Sequence, residues 1–359
     1  MPVPYVNGFI WDLDTESWRT EDADRGAVRN QNDGLQVWSW GGNRFAAMCP
    51  DSKLWRDKLT EVSTELVGRY GMDGIYFDFL TGLICDCYNP DHGHAIGGGN
   101  YFSKSVHDLY GQVRREIKKL NPDAMVTGEH VGEFVIDVLD TQLPFRSYHN
   151  QVPSFEAVYH GYTLLYGGWR GPRMKNSMKS GVPMPYCTGL FWLNGNQSGW
   201  GNHHGSLAQA LKGDPRHQQW IQDAKYYFKL LHCHHRFGRP YLAYGEMLRP
   251  PHIEGDLPFV HIPYGDPPAP MVEGRAWKAP DGTVGIFFLN YDTKQAHDFT
   301  WTVDLQEAPG WDGDTQLTLS KWTLEDGLVR VAAVTGGQFG RRETIEPWGL
   351  IALKLEAAR

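Results

Sequence analysis

Cysteine is scarce in this chain of 359 residues: five residues, an odd and sparse set, exclude the cross-linked framework of small secreted domains. Clustered positive charge is missing too. The net charge is −8, and the basic piece "RREIKK" (114–119) falls on a predicted helix and reads as a solvated face. Neutralising phosphates requires grouped Lys and Arg, so a nucleic-acid partner is excluded. No apolar run approaches the ~20 residues of a membrane-spanning helix, and no membrane partner is expected. The start "MPVPYVNGFIWD" lacks the basic head and apolar run of a secretory signal, which makes a reducing, cytoplasmic setting the default expectation. No tandem repeat occurs, and no glycine-rich dinucleotide loop follows the first strand, which counts against a nucleotide-binding doubly wound sheet.

Aromatic residues are abundant: 14 Trp, 17 Tyr and 16 Phe make up 13% of the chain. Flat rings serve both to stack on sugar faces and to fill a large core, and composition alone does not separate these uses. Up to about residue 260 short apolar runs alternate with amphipathic helical segments, the pattern of a parallel sheet with helical crossovers. "VPYVNGFIWD" (3–12), "FAAMCP" (45–50), "GIYFDFL" (74–80), "AMVTGEH" (124–130) and "GLFWLNG" (189–195) read as strands. Leu54, Trp55, Leu59, Val62, Leu66 and Tyr70 line one predicted helix, and Val106, Leu109, Tyr110, Val113, Ile117 and Leu120 another. A further long helix is expected at 214–238. After the proline-rich "PYGDPPAP" (263–270) the texture changes to short alternating runs broken by turn residues, which predicts an antiparallel β-sandwich. The expected architecture is an α/β (β/α)8 TIM-type barrel over 1–264 followed by a C-terminal sandwich over 265–359. About seven barrel strands can be counted, not eight. Either a strand lies unread between 141 and 190, or the chain lacks its first βα unit. An exposed barrel edge would then call for a partner chain, and a homo-oligomer is expected in that case.

Barrel chemistry sits at the carboxyl ends of the strands, where Asp12, Asp14, Asp78, Glu129 and Glu246 fall. Each alone could simply cap a helix or close a turn. Asp78 and Glu129 are more informative together, because one βα unit separates them and they are expected to end adjacent strands. Neighbouring strands ~4.8 Å apart would hold the two carboxyls roughly 5 Å from each other, the separation used by retaining rather than inverting glycosidases. Asp78, on an apolar strand, suits the nucleophile. Glu129, longer and flanked by Gly128 and His130, suits the acid/base, with Glu133 one turn later as its rival. Trp11, Asp12, Trp40, His92, His94, Trp192 and Trp200 are the candidates to line sugar subsites by stacking and hydrogen bonding.

The stretch "CDCYNPDHGHAIGGG" (85–99) adds Cys85, Cys87, His92 and His94. Structural zinc sites usually leave at least two residues between paired cysteines; C-x-C with H-x-H is tighter, and no metal or other cofactor is expected. A turn over the barrel mouth, with the glycines admitting close backbone approach and the histidines facing sugar hydroxyls, is the preferred reading. A zinc-dependent hydrolase using this loop and a non-catalytic carbohydrate-binding barrel are the alternatives.

Taken together, "VPYVNGFIWD", "AAMCPDSKLWRDKL", "YGMDGIYFDFL", "C…HGHAIGGGNYF" and "VTGEHVGEFVIDVLD" resemble a bacterial family of glycosidase-like TIM-barrel proteins carrying a domain of unknown function, distantly similar to endo-α-N-acetylgalactosaminidases. The resemblance runs from about residue 3 to 250, with the sandwich as its usual companion. It implies a retaining glycoside hydrolase acting on an α-linked carbohydrate, with the nucleophile on the fourth strand and the acid/base on the fifth; those places correspond to Asp78 and Glu129. It also implies an N-terminal β-domain and a first barrel strand ahead of "YVNG".

Overall fold

The computed structural model describes residues 1–78, 85–144, 152–166, 184–196, 211–213, 218–260, 268–305 and 311–358. They group into two compact units, Met1–Leu143 and Pro144–Arg359. Trp200 lies outside the described residues.

In the first unit the order is β1 (Tyr5–Asn7), β2 (Ile10–Asp12), α1 (Glu16–Thr20), β3 (Val37–Trp40), β4 (Asn43–Ala47), α2 (Lys53–Gly68), β5 (Gly74–Asp78), α3 (Tyr101–Leu120), β6 (Met125–Glu129) and β7 (Thr141–Leu143). Strands β1, β5, β6 and β7 are neighbours in one parallel sheet, in that order. The helices cover it much as their spacing predicts. Trp55, Leu59 and Val67 of α2 are buried, as are Val106, Leu109, Tyr110, Val113 and Ile117 of α3. Tyr70 and Leu120, placed on the same stripes, are exposed beyond and at the helix ends.

Three strand expectations need correction. "VPYVNGFIWD" is two strands in two different sheets, broken at Gly8 and Phe9. The Asn7 Oδ1 accepts the Phe9 N–H at 3.0 Å and turns the chain there. A Cβ on Gly8 would stand 2.2 Å from the buried Tyr110 hydroxyl. "FAAMCP" is no barrel strand: β4 pairs antiparallel with β2 and β3 as a separate three-stranded sheet inserted between β1 and α2. "GLFWLNG" belongs to a helix, Met184–Leu193. A short run that is apolar almost throughout carries no period, so helix and strand look alike in sequence. Conversely β7 went unread; it lies inside the 141–190 window where a strand was missing.

Besides the short antiparallel pair Phe259–Val260 and Ala269–Pro270, the second unit contains two larger antiparallel sheets among the described residues. One has six strands in the order Gly327–Thr335, Gln316–Thr323, Leu350–Ala357, Val284–Asn290, Val272–Lys278 and Glu246–Met247. The other joins His252–Glu254, His297–Asp304 and Gln338–Ile345. Ile286 and Phe288 share a core with Phe299, Trp301 and Val303 of the second sheet, the face-to-face packing of a sandwich. Phe287 and Leu289, pointing the other way, share a core with Leu190, Trp192, Tyr226 and Leu230 of the helices Met184–Leu193 and Gln218–Cys233. Strand Val284–Asn290 is therefore buried on both faces and reads as an unbroken apolar run. The helix expected at 214–238 is described from Gln218 to Cys233 and continues through a π turn at His234–Gly238. No described helix is long and apolar enough to cross a membrane.

Candidate active site

The parallel sheet sets its side chains in registered rows. Tyr5 pairs with Tyr76, Tyr76 with Thr127 and Thr127 with Thr141. Two residues further along the same face, Asn7 pairs with Asp78 and Glu129 with Leu143, while Phe77 pairs with Gly128. Asp78 and Glu129 are the next residues after that last pair, so they end adjacent strands side by side. Because side chains alternate along a strand, Tyr5, Asn7, Tyr76, Asp78, Thr127, Glu129 and Thr141 share one face. The opposite face carries Ile75, Phe77 and Val126, and the Phe77 ring packs 4.8 Å from Tyr110 of α3. A polar face thus backs onto an apolar one, and the Thr127 and Thr141 hydroxyls bond across it at 2.7 Å.

Asp78 is 8% exposed. Its Oδ2 accepts hydrogen bonds from the Tyr5 hydroxyl and, at 3.4 Å, from the Asn7 Nδ2. Desolvation first, and then the Asp78 hydrogen bond and charge, push the Tyr5 phenol up to about 12; the Glu129 charge adds to this. Tyr5 therefore stays a protonated donor at neutral pH and senses both carboxylates. Sequence reading missed Tyr5 and Asn7. The available signal was their alternation in "YVN", which becomes meaningful once β1 is known to lie beside β5.

Glu129 has a side chain 14% exposed, with the His130 Nε2 at 3.8 Å. His130 adopts a left-handed φ of 66°, which ends the strand directly after the carboxylate. Glu133, the rival acid/base, is exposed at the start of a 3₁₀ turn, Glu133–Val135.

The other predicted positions scatter. Trp11 is buried, its indole N–H bonded to Ser17 Oγ at 3.0 Å and its ring 5.8 Å from Trp55. Asp12 Oδ1 accepts the Asp14 N–H at 2.9 Å, the turn-closing role that a strand-terminal Asp often takes. Asp14 pairs with Arg44 at 3.3 Å. Trp40 is 42% exposed and stacks 4.2 Å from Phe45 at the end of the β3–β4 hairpin. Trp192 is 2% exposed in the second unit's core, edge-on to Phe287 at 5.4 Å. Glu246 is exposed on the six-stranded sheet, 2.9 Å from the Lys278 ammonium.

His92 and His94 are brought not to Cys85 but to two other thiols. His92 Nδ1 lies 3.4 Å from Cys87 Sγ, and its Nε2 lies 2.8 Å from the Arg25 carbonyl and 3.1 Å from Asn89 Nδ2. His94 Nε2 lies 3.3 Å from Cys49 Sγ, its Nδ1 faces the Ala95 carbonyl at 2.8 Å, and Tyr101 stacks on its ring at 4.1 Å. Cys85 contributes its carbonyl, which accepts from the Tyr101 hydroxyl. Gly97, Gly98 and Gly99 all have positive φ (72°, 148° and 82°), so backbone conformation by itself accounts for three glycines here.

Residues 2–170 match the family model described as a domain of unknown function, DUF6259, which is the resemblance carried by the motifs above. A Bacteroides thetaiotaomicron protein named "Putative glycoside hydrolase" is 32% identical over 212 residues, covering 55% of this chain and 29% of that protein. A Monosiga brevicollis protein named "Putative glycoside hydrolase 22789" is 26% identical over 183 residues, 46% of this chain and 15% of that one. The chain thus spans less than a third of the length of these curated relatives. Among solved structures, the noncanonic maltogenic alpha-amylase AmyB from Thermotoga neapolitana superposes with a TM-score of 0.50 at 10% identity, over 99% of this chain and 77% of that one. That likeness shows a shared mixed α/β fold.

Proposed function

We propose that the chain is a glycoside hydrolase working by double displacement on an α-linked glycan, with Asp78 as nucleophile and Glu129 as acid/base. The observation that carries this reading is the placement of both carboxylates at the ends of adjacent parallel strands, in register and on one polar face. Strand spacing of ~4.8 Å favours a carboxyl separation near the ~5–5.5 Å of retaining enzymes over the wider gap that admits a water. Asp78 attacks the anomeric carbon while Glu129 protonates the departing oxygen. Glu129 then takes a proton from the water that releases the sugar. Tyr5 and Asn7 hold the Asp78 carboxylate in one orientation for attack. The names of the curated relatives support glycosidic-bond hydrolysis as the reaction class, and the α-linkage rests on the family resemblance.

In this reading the parallel strands belong to a (β/α)8 barrel within a catalytic domain of residues 1–264, and 265–359 form the accompanying sandwich, to whose sheets strands Glu246–Met247 and His252–Glu254 also contribute. Of the described tryptophan candidates, Trp40 is the exposed one, as a ring that stacks on sugar must be. A panel of aryl glycosides and oligosaccharides, with Asp78→Asn as control, tests the proposal. It requires turnover of at least one α-glycoside that the variant abolishes while its circular dichroism is unchanged. Sugar binding without hydrolysis in both proteins would make the chain a binding module instead.

A further inference from the structure

The loop that follows Asp78 holds a second constellation, independent of the carboxylates. The ligand atoms of Cys49, Cys87, His92 and His94 all lie within 4.8 Å of one another. The Cys–His contacts of 3.3 and 3.4 Å approach the edge of a zinc tetrahedron, about 3.6 Å between sulfur and nitrogen for bonds of ~2.3 and ~2.0 Å. We infer that these four side chains form a structural zinc site.

Two features beyond proximity support it. First, each imidazole has its outer nitrogen against a backbone carbonyl, Arg25 for His92 and Ala95 for His94. A carbonyl accepts only from N–H, so in a neutral ring protonated on that outer nitrogen the inner one, which faces the thiols, is the nitrogen left to bind a metal. This is how ligating histidines are oriented. Second, the surroundings are closed. Cys49, Cys87 and His92 are buried, and Tyr101 caps the His94 ring.

The tight C-x-C spacing does not apply to this cluster, because its second thiol is Cys49 and not Cys85. Cys49 follows β4 ahead of α2, 38 residues before Cys87, which relieves the tight C-x-C geometry and leaves Cys85 as a bystander. Four protein ligands complete a tetrahedron and leave no position for a reacting water, so the site is structural and not that of a zinc hydrolase. Its mechanical role follows from connectivity. One ligand comes from the segment joining β1 to α2, and three come from the segment joining β5 to α3, so the metal staples the loops rising from two adjacent strands, one of which ends on Asp78. The Tyr88 N–H bonding the Arg29 carbonyl at 2.9 Å already links the same two loops.

Elemental analysis of the full chain, purified without added metal or affinity-metal resin, is expected to return about one zinc per chain. Cys49→Ser and Cys87→Ser should retain less than about a tenth of that, whereas Cys85→Ser should keep it in full. Should the first two variants fail to fold, chelator-treated wild type titrated with Co2+ supplies the answer, through the visible bands of tetrahedral cobalt and a sulfur-to-cobalt charge-transfer band saturating at one equivalent. Absence of zinc together with a silent cobalt titration would overturn the inference. So would iron in place of zinc, metal lost from Cys85→Ser but kept in Cys49→Ser, or a Cys49–Cys87 disulfide in the peptide map.

Discussion

At the scale of single residues, two carboxylates and the groups around them decide the proposed chemistry. Glu129→Gln keeps the shape but cannot donate or accept the transferred proton. Turnover of substrates with poor leaving groups should fall about 10²–10⁴-fold, with a smaller loss on activated aryl glycosides that need no protonation. Tyr5→Phe removes a donor to a charged acceptor, and kcat/KM should drop about ten- to a hundredfold with the fold intact. A Tyr5→Phe enzyme with unchanged kcat would dissociate the tyrosine from the chemistry. A third residue reports on stability. Burial, reinforced by the charges of His235, Arg239 and His160, lowers the His234 imidazole to about 4. Between that value and the ordinary ~6.5 the unfolded chain binds a proton that the folded chain refuses. The resulting stability is fully present above pH ~6.5 and is lost as pH falls toward 4. Urea midpoints measured at pH 7.5, 6 and 5 should decline in that order, and His234→Gln should flatten the slope.

At the scale of elements, legibility followed periodicity. Helices α2 and α3 declared themselves because one face is buried and the other wet, and β5 and β6 because apolar runs end on carboxylates. The failures share a cause. β1 and β2 read as one strand because nothing in "YVNGFIWD" reveals that Gly8 sits beneath the Tyr110 hydroxyl, a contact spanning 102 residues. The helix Met184–Leu193 read as a strand because it is apolar all round. Tyr5 and Asn7 became visible only when a neighbour supplied their meaning, and Cys49 was hidden because its partners lie 38 to 45 positions away. Gly8 offers a direct check. Gly8→Val would drive Cβ into Tyr110 where β1 leaves the sheet, and should destabilise the chain by about 1–3 kcal/mol in denaturant unfolding. Gly8→Val in combination with Tyr110→Phe, which vacates the hydroxyl's place, should recover part of that loss.

At the scale of the whole molecule, β1 ends the parallel sheet among the described residues, with β5 on its other side. If that edge is exposed in the whole chain, it recruits a strand or a partner. Self-association is expected in that case, seen in sedimentation velocity as a species of dimer mass at micromolar concentration; a monodisperse monomer would remove that partner. The curated relatives extend far beyond the matched region, and the proposed activity belongs to the polar face that β1, β5, β6 and β7 build together. The most direct test of that face is to trap the intermediate. With the best α-glycoside from the panel converted to its 2-deoxy-2-fluoro analogue bearing an activated leaving group, the proposed mechanism predicts one sugar adduct per chain, located by peptide mass spectrometry on Asp78 and absent from Asp78→Asn. An adduct on Glu129, or an inverted product formed with no adduct at any carboxylate, would contradict it.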